Sequence, residues 1–193
     1  MNSIRFGLAA CTVAATAGAL ALVPASAGAE PVTPVPQLQV ERYLGTWQQL
    51  AAIPQPFNLV CARDTRANYT LNPAGDITVR NSCTTWSGGP NEITGVAKVK
   101  DTATNAQLGV SFRGEADPRT NYVVTAVDPD YSWALVVNPE RTSGFVLSRT
   151  AAVDAERWAE IRDAVAAAGV DSCLFLTSPN TGGYEEIVPL CTV

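Results

Sequence analysis

Histidine is absent from the 193-residue sequence, and this absence removes several kinds of chemistry. Without imidazole there is no Ser-His-Asp triad, no Cys-His dyad, no histidine metal site and no histidine-held haem. We therefore expect neither a metal nor a cofactor. An enzyme would need another acid, base or nucleophile, and no catalytic candidate stands out, so we expect a protein that is not an enzyme.

Positive charge is also scarce, with 13 lysines and arginines against 18 acidic residues and a formal net charge of -5. Loss of residues 1–29 would remove Arg5 and no acid, which leaves 12 against 18, a formal charge of -6 (12 minus 18). A mildly acidic domain argues against nucleic acid and anionic membranes as partners. We expect no nucleic-acid partner and, at most, transient membrane contact. The oligomeric state stays open.

Long apolar runs are missing except near the N-terminus, from Gly7 to Val23. One positive charge, Arg5, precedes this alanine-rich run, and small residues follow it at Ala25-Ser26-Ala27 and Ala27-Gly28-Ala29. This order is typical of a signal peptide, which we predict over residues 1–29. A membrane helix fits less well, because the run ends in a cleavage site. The prediction implies a secreted, extracellular or cell-envelope protein.

Cysteine is sparse, and one of the five lies within the predicted signal peptide. Leu8-Ala9-Ala10-Cys11 looks like a lipoprotein processing site. Lipidation, however, needs that cysteine after the apolar run, and Cys11 lies near its beginning. We therefore favour removal of Cys11 with the signal peptide, with lipidation as the alternative.

The remaining four cysteines are Cys61, Cys83, Cys173 and Cys191. An even number in an exported chain indicates two disulfides, and their spacing fits no common zinc site. We favour Cys61–Cys83, across one hairpin, and Cys173–Cys191, within the tail. The alternative connects the tail to the rest of the domain through Cys191.

Short alternating segments separated by turn signals dominate residues 38–193. Before them, residues 30–37 contain three prolines and predict an extended, mobile leader. The predicted strands cover residues 47–52, 62–71, 77–83, 93–100, 106–113, 121–127, 131–137 and 145–149. One amphipathic helix follows, with Asp154 as N-cap and Gly169 after its end, and Trp158 is expected to pack on its buried face. Eight such strands indicate an all-β barrel or sandwich.

Three ordered motifs resemble the lipocalin family. The first is Val40-Glu41-Arg42-Tyr43-Leu44-Gly45-Thr46-Trp47, and the second runs from Tyr122 through Asp128-Pro129-Asp130-Tyr131 to Val136. The third is Leu147-Ser148-Arg149-Thr150. Together they are most similar to the branch of bacterial lipocalins, apolipoprotein D and plant temperature-induced lipocalins, over roughly residues 38–178.

This resemblance implies an eight-stranded antiparallel up-and-down barrel with one C-terminal α-helix packed outside. It also implies that Gly45, Trp47 and Arg149 form the structural base of the barrel. The sequence departs from the family pattern at Gln48-Gln49, where Tyr-Glu often follows the Trp. It also has a longer, disulfide-tied tail after Thr177.

Strand alternation gives candidate ligand-binding residues inside such a barrel. The parity of the seventh strand is open, with either Trp133 and Leu135 or Ala134 and Val136 facing inward. Phe57 lies in a long first loop that could cover the open end. The full candidate set is Gln49, Ala51, Phe57, Tyr69, Tyr122, Val124, Trp133, Phe145 and Leu147.

The resemblance implies an exported carrier that sequesters a small hydrophobic ligand, such as a fatty acid, a lysophospholipid or a pigment. Transfer of the ligand from water into an apolar barrel would drive binding. Two alternatives stay open. One is a lipocalin-fold enzyme acting on a lipid-like substrate, and the other is a module whose loops bind a partner protein.

Overall fold

A computed structural model describes residues 30–193. The predicted signal peptide and Cys11 lie outside the described residues. Nine strands and two α-helices make up the regular structure of this part of the chain. The strands are β1 Gly45–Ala52, β2 Cys61–Leu71, β3 Ile77–Thr85, β4 Pro90–Val99, β5 Gln107–Ser111, β6 Tyr122–Val127, β7 Trp133–Val137, β8 Gly144–Ser148 and β9 Leu176–Thr177.

Strands β1 to β8 form a closed antiparallel barrel in which neighbours in sequence are neighbours in space. Closure occurs at β1, which pairs with β8 on one side and with β2 on the other. The β1–β2 pairing is short and covers only Gly45–Gln48 opposite residues 66–69. The expectation of a closed barrel with eight strands is therefore confirmed, and the sandwich alternative is excluded.

Helices are short apart from α2 Ala155–Ala167, which packs on the outside of the barrel. The carboxylate of Asp154 accepts a hydrogen bond from the Arg157 backbone N–H at 2.8 Å and caps the helix. Trp158 and Ile161 are buried against the outer face of β7 and β8, in a cluster separate from the barrel interior. The remaining helices are α1 Val40–Tyr43 and the 3-10 turns Pro56–Val60, Ser172–Leu174 and Leu190–Thr192.

The segment predicted to be a mobile leader instead packs on the barrel. Val32 and Val35 are both buried. The Val35 N–H donates to the Val124 carbonyl at 2.9 Å, and the Leu38 N–H donates to the Thr104 carbonyl at 2.7 Å. Proline content indicated an extended backbone but not its contacts, which are made by two valines three residues apart.

Disulfides join Cys61 to Cys83 and Cys173 to Cys191, the pairing that the sequence favours. The first connects the neighbouring strands β2 and β3 where both reach the open end of the barrel. The second holds the C-terminal tail to the segment that follows α2. No disulfide in the described residues connects the tail directly to a barrel strand.

The tail fills a seam in the barrel wall where β1 and β2 separate. Beyond Gln48, the neighbour of β1 on this side is β9 instead of β2. Past β9, the Ser178 N–H donates to the Leu50 carbonyl at 2.8 Å, and the Asp64 N–H donates to the Pro179 carbonyl at 2.9 Å. The tail therefore supplies backbone hydrogen bonds that β1 and β2 do not give each other.

Candidate functional site

A cavity of about 750 Å³ occupies the inside of the barrel. Most of its wall is apolar, as expected for strands whose inward side chains alternate with outward ones. The acidic and basic residues Glu92, Arg113 and Asp117 line the wall at the open end, near strand ends or in the loop after β5. The arrangement is a pocket with an apolar interior and a polar mouth, which suits an apolar or amphiphilic small molecule.

Trp47 closes the base of the barrel and is fully buried. Its indole N–H donates to the Tyr43 carbonyl at 2.8 Å, which satisfies the one polar group of the ring. The guanidinium carbon of Arg149 lies 3.6 Å from the indole centroid. At this distance the cation is attracted to the ring face.

Arg149 also ties the base together through backbone carbonyls. Its terminal nitrogens donate to the carbonyls of Thr46 at 2.8 Å, Arg42 at 2.7 Å and Leu44 at 2.9 Å. Burial lowers the pKa of Arg149 below its ordinary value, but an arginine stays charged at any physiological pH. One side chain therefore joins the end of β8 to the turn that enters β1.

Gly45 permits this approach. Its φ is +90°, a conformation that residues with a Cβ rarely adopt. A Cβ at this position would be in ordinary van der Waals contact with Arg149, 3.5 Å from a terminal nitrogen, so the backbone conformation is what requires glycine. The Gly-x-Trp motif thus supplies both the backbone turn and the ring that the arginine covers.

Three buried tyrosines meet just above Trp47, and all three line the cavity. The Tyr122 hydroxyl lies 2.7 Å from the Tyr43 hydroxyl and 3.1 Å from the Tyr69 hydroxyl. The rings of Tyr43 and Tyr69 are stacked, with centroids 5.6 Å apart. We call this group, Tyr43, Tyr69 and Tyr122, the tyrosine triad.

Burial raises the pKa of each phenol in the triad, because the charged form would be poorly solvated. The pKa of Tyr69 rises to about 12. Tyr43 and Tyr122 shift in the same direction, well above their ordinary value. All three hydroxyls therefore stay protonated and neutral across the physiological range.

Exposed apolar side chains surround the open end. Phe57 and Leu59 belong to the 3-10 turn between β1 and β2 and are 62% and 75% exposed. Trp86, in the turn between β3 and β4, is 68% exposed, and its indole N–H donates to the Leu59 carbonyl at 2.8 Å. Phe57 also lines the cavity. The mouth thus has ionisable residues on its inner wall and, outside them, an exposed apolar rim made by two neighbouring loops.

Six of the nine predicted ligand-binding residues line this cavity, and three do not. Those that line it are Gln49, Phe57, Tyr69, Tyr122, Phe145 and Leu147. Whether they bind ligand stays a prediction. Ala51, Val124 and Trp133 do not line it.

Each of these three corrections has a local cause. The register of β1 against β8 shifts between Gln49 and Ala51, so Ala51 turns into the cluster under α2 instead of the cavity. Trp133 packs in the same cluster under α2, outside the barrel, whereas Ala134 packs in the barrel interior. Ala134 and Val136 are therefore the inward-facing pair of β7. Val124 faces the barrel interior but does not reach the cavity. It is fully buried in the same cluster as Val35, whose segment covers this part of the barrel.

Several lining residues were not among the predicted site residues. Strand alternation in β3 and β5 contained the signal for most of them, because their apolar residues recur at every second position. Tyr43 had no such signal, since it belongs to a helical turn and reaches the cavity only after the chain folds back. The buried or half-buried apolar residues and tyrosine among them include Tyr43, Ile77, Val79, Ala97, Leu108 and Val110.

Residues 30–193 contain no cluster of three or more acidic or cysteine side chains placed to hold a metal ion. In the same part of the chain, none of the helices has the length and apolar character needed to cross a membrane.

Comparisons with known proteins agree with the barrel and its motifs. A family model described as "Lipocalin-like domain" matches residues 38–180. Temperature-induced lipocalin-1 of Arabidopsis thaliana is 39% identical over 156 residues, which are 77% of this chain and 83% of the plant protein. The outer membrane lipoprotein Blc of Escherichia coli K12 is 32% identical over 167 residues, 85% of this chain and 93% of Blc.

Solved structures show the same fold at lower sequence identity. Insecticyanin from the tobacco hornworm Manduca sexta superposes with a TM-score of 0.61 at 16% identity, covering 82% of this chain and 93% of insecticyanin. Apocrustacyanin C2 gives a TM-score of 0.57 at 16% identity, covering 74% of this chain and 80% of its own. At this identity the likeness concerns the fold alone.

Proposed function

The chain belongs to the lipocalin family, and from that premise we propose that it is an exported protein that sequesters a small hydrophobic ligand. Members of this family typically bind small hydrophobic molecules. The proposed ligands are fatty acids, lysophospholipids and other lipids or pigments of similar size. The ligand would sit in the barrel cavity and leave through the open end.

The observation that carries this proposal is an apolar cavity of about 750 Å³ inside a barrel closed at its base. Binding is favoured by about 2.5 kcal/mol for every 100 Å² of apolar area that leaves water, at about 25 cal/mol per Å². Immobilising the ligand offsets part of that gain. The residues proposed to contact ligand inside the barrel are Gln49, Tyr69, Tyr122, Phe145 and Leu147, with Phe57 at the mouth.

Two disulfides support the exported location, because such bonds persist in oxidising compartments. One relative is by name an outer membrane lipoprotein, so an envelope location fits as well. The apolar rim at Phe57, Leu59 and Trp86 supports transient contact with a membrane during ligand exchange.

A binding role also fits the chemistry of the site better than catalysis. All four cysteines in the described residues are in disulfides, so none of them offers a thiolate nucleophile. The tyrosines on the floor of the cavity are neutral and hydrogen-bonded to one another. Family members are generally binding proteins instead of enzymes.

The test is extraction of the protein, purified from its native producer, with organic solvent, followed by mass spectrometry of the extract. We expect a lipid or pigment at a stoichiometry near one per chain. The stripped protein should then bind a fluorescent fatty acid, and the extracted molecule should displace it. An empty extract together with no probe binding would overturn the proposal.

A further inference from the structure

The tyrosine triad forms a polar floor at the closed end of a mostly apolar cavity. Tyr69 lies opposite Gly45 in the β1–β2 register, and the Tyr43 ring is 5.1 Å from that of Trp47, which places the triad at the closed end. A ligand that fills the barrel must therefore bring one of its ends against phenol hydroxyls. The opposite end faces the polar mouth.

Counting protons shows what the triad offers such a ligand. Each phenol has one proton to donate and can also accept. Two hydrogen bonds connect the three hydroxyls, and they use two of the three protons. Whichever hydroxyl donates in each pair, one proton is left over, and no side chain or backbone group of residues 30–193 accepts it.

The left-over proton could be donated to a neutral or to an anionic oxygen, and the charges around the floor favour the neutral one. The raised pKa values keep the hydroxyls protonated, so the donor is present at any physiological pH. A carboxylate buried at the same place would need a paired cation. The cation that acts electrostatically on Tyr43 and Tyr69 is Arg149. It lies against the Trp47 ring, with its N–H groups directed to backbone carbonyls.

We propose that the tyrosine triad is a recognition site for a neutral oxygen, a carbonyl or hydroxyl, at the leading end of the ligand. The site would select oxygen-bearing lipids over plain hydrocarbon chains, because a plain chain leaves the buried donor unpaired. This inference rests on the proposed function and narrows its ligand class.

The test compares dodecane with 2-dodecanone, which differ by one carbonyl near the chain end. Their affinities are measured by displacement of a fluorescent apolar probe from the wild-type protein and from Tyr43→Phe/Tyr69→Phe/Tyr122→Phe. Phenylalanine keeps the shape of each ring and removes every hydroxyl. The matched control is Tyr184→Phe, because Tyr184 packs on Trp158 of the outer helix, away from the cavity.

We expect the ratio of ketone affinity to alkane affinity to fall about tenfold in the triple variant, which corresponds to ~1.4 kcal/mol. The ratio should not change in Tyr184→Phe. An unchanged ratio in the triple variant, with both ligands still bound, would overturn the inference and leave the proposed function intact. If the wild-type protein bound none of the three molecules, neither dodecane nor 2-dodecanone nor the probe, the result would instead overturn the proposed function.

A second measurement needs only the wild-type protein and so does not depend on folding of the triple variant. The infrared carbonyl stretch of bound, ¹³C-labelled 2-dodecanone reports hydrogen bonding directly. We expect a lower frequency in the protein than in dry dodecane. A frequency equal to that in dodecane would contradict the inference.

Discussion

Trp47 and Arg149 are more than a hundred residues apart in sequence, yet they form one contact at the base of the barrel. Arg149 contributes charge-assisted hydrogen bonds to three backbone carbonyls in addition to the ring contact. Hydrogen bonds of this kind contribute more than neutral ones. The sequence motifs predicted these partners, because glycine, tryptophan and arginine each have a physical role that few other residues can fill.

Arg149→Ala should lower the free energy of unfolding by about 2–4 kcal/mol, since it uncovers Trp47 and leaves backbone carbonyls without donors. Denaturant unfolding followed by tryptophan fluorescence measures the change. Arg119→Ala is the control, because Arg119 is 87% exposed and should change stability by less than about 0.5 kcal/mol. Equal stabilities for Arg149→Ala and the control would show that the base does not depend on the arginine.

Tyr122 is the central member of the tyrosine triad, so its removal should cost more than removal of the whole triad. Tyr122→Phe removes the one hydrogen-bond partner that the hydroxyls of Tyr43 and Tyr69 each have within residues 30–193, and it should cost about 1–3 kcal/mol. Adding Tyr43→Phe and Tyr69→Phe removes the two unpaired hydroxyls and should restore part of the lost stability. Thermal unfolding of both variants checks this order, and a triple variant less stable than the single one would contradict it.

Site residues were harder to predict than the base because a single register shift reverses strand parity. Alternation from Trp47 correctly places Gln49 against the cavity, but the bulge before Ala51 turns that residue outward. Nothing in the local sequence marks this bulge. Tyr43 escaped prediction for a different reason, since its role depends on contacts with β2 and β6.

At the scale of elements, strands were predictable because each is short, alternating and bounded by turn residues. Their ends moved by a few residues, as in β5, predicted over 106–113 and observed over Gln107–Ser111. The structural role of the C-terminal tail in the barrel wall was not predictable. Residues 179–183 include a proline and two glycines, the composition of an ordinary loop, and they become part of the wall because β1 and β2 separate.

Asp64 clamps the tail across this seam. Its carboxylate accepts hydrogen bonds from the Thr181 backbone N–H at 2.8 Å and from the Thr181 hydroxyl at 2.9 Å. Burial alone would raise the pKa of Asp64, but these two bonds, helped by Arg63 and Arg66, lower it below the ordinary value of 3.8. A lowered pKa means that the folded state favours the ionised form.

The stability that the Asp64–Thr181 hydrogen bonds contribute should therefore be fully present above pH 3.8. It should be lost as the pH falls through the lower pKa that Asp64 has in the folded state. An NMR titration of the Thr181 amide shift should show its inflection below pH 3.8. Asp64→Asn should remove the inflection, because the amide does not titrate there. An inflection in the wild-type protein at or above pH 3.8 would contradict the clamp.

At the scale of the whole molecule, closure of the sheet is the feature that alternation alone could not establish. Eight alternating strands are compatible with a sandwich as well as with a barrel. The distinction came from the resemblance of three motifs to one family, and the pairing of β1 with both β8 and β2 confirms it. The cavity follows from closure, because inward side chains of modest size leave space that larger ones would fill.

The central claim is that this interior space holds the ligand, and partial filling of the space tests it most directly. Val110 on β5 lines the cavity, whereas Thr94 on β4 is exposed and does not. The measurement is the dissociation constant of a fluorescent fatty acid for Val110→Trp, with Thr94→Trp as the matched control. We predict binding at least about tenfold weaker than wild type for Val110→Trp, a change of ~1.4 kcal/mol, and wild-type binding for the control. Wild-type affinity in a folded Val110→Trp protein would contradict a ligand held inside the barrel.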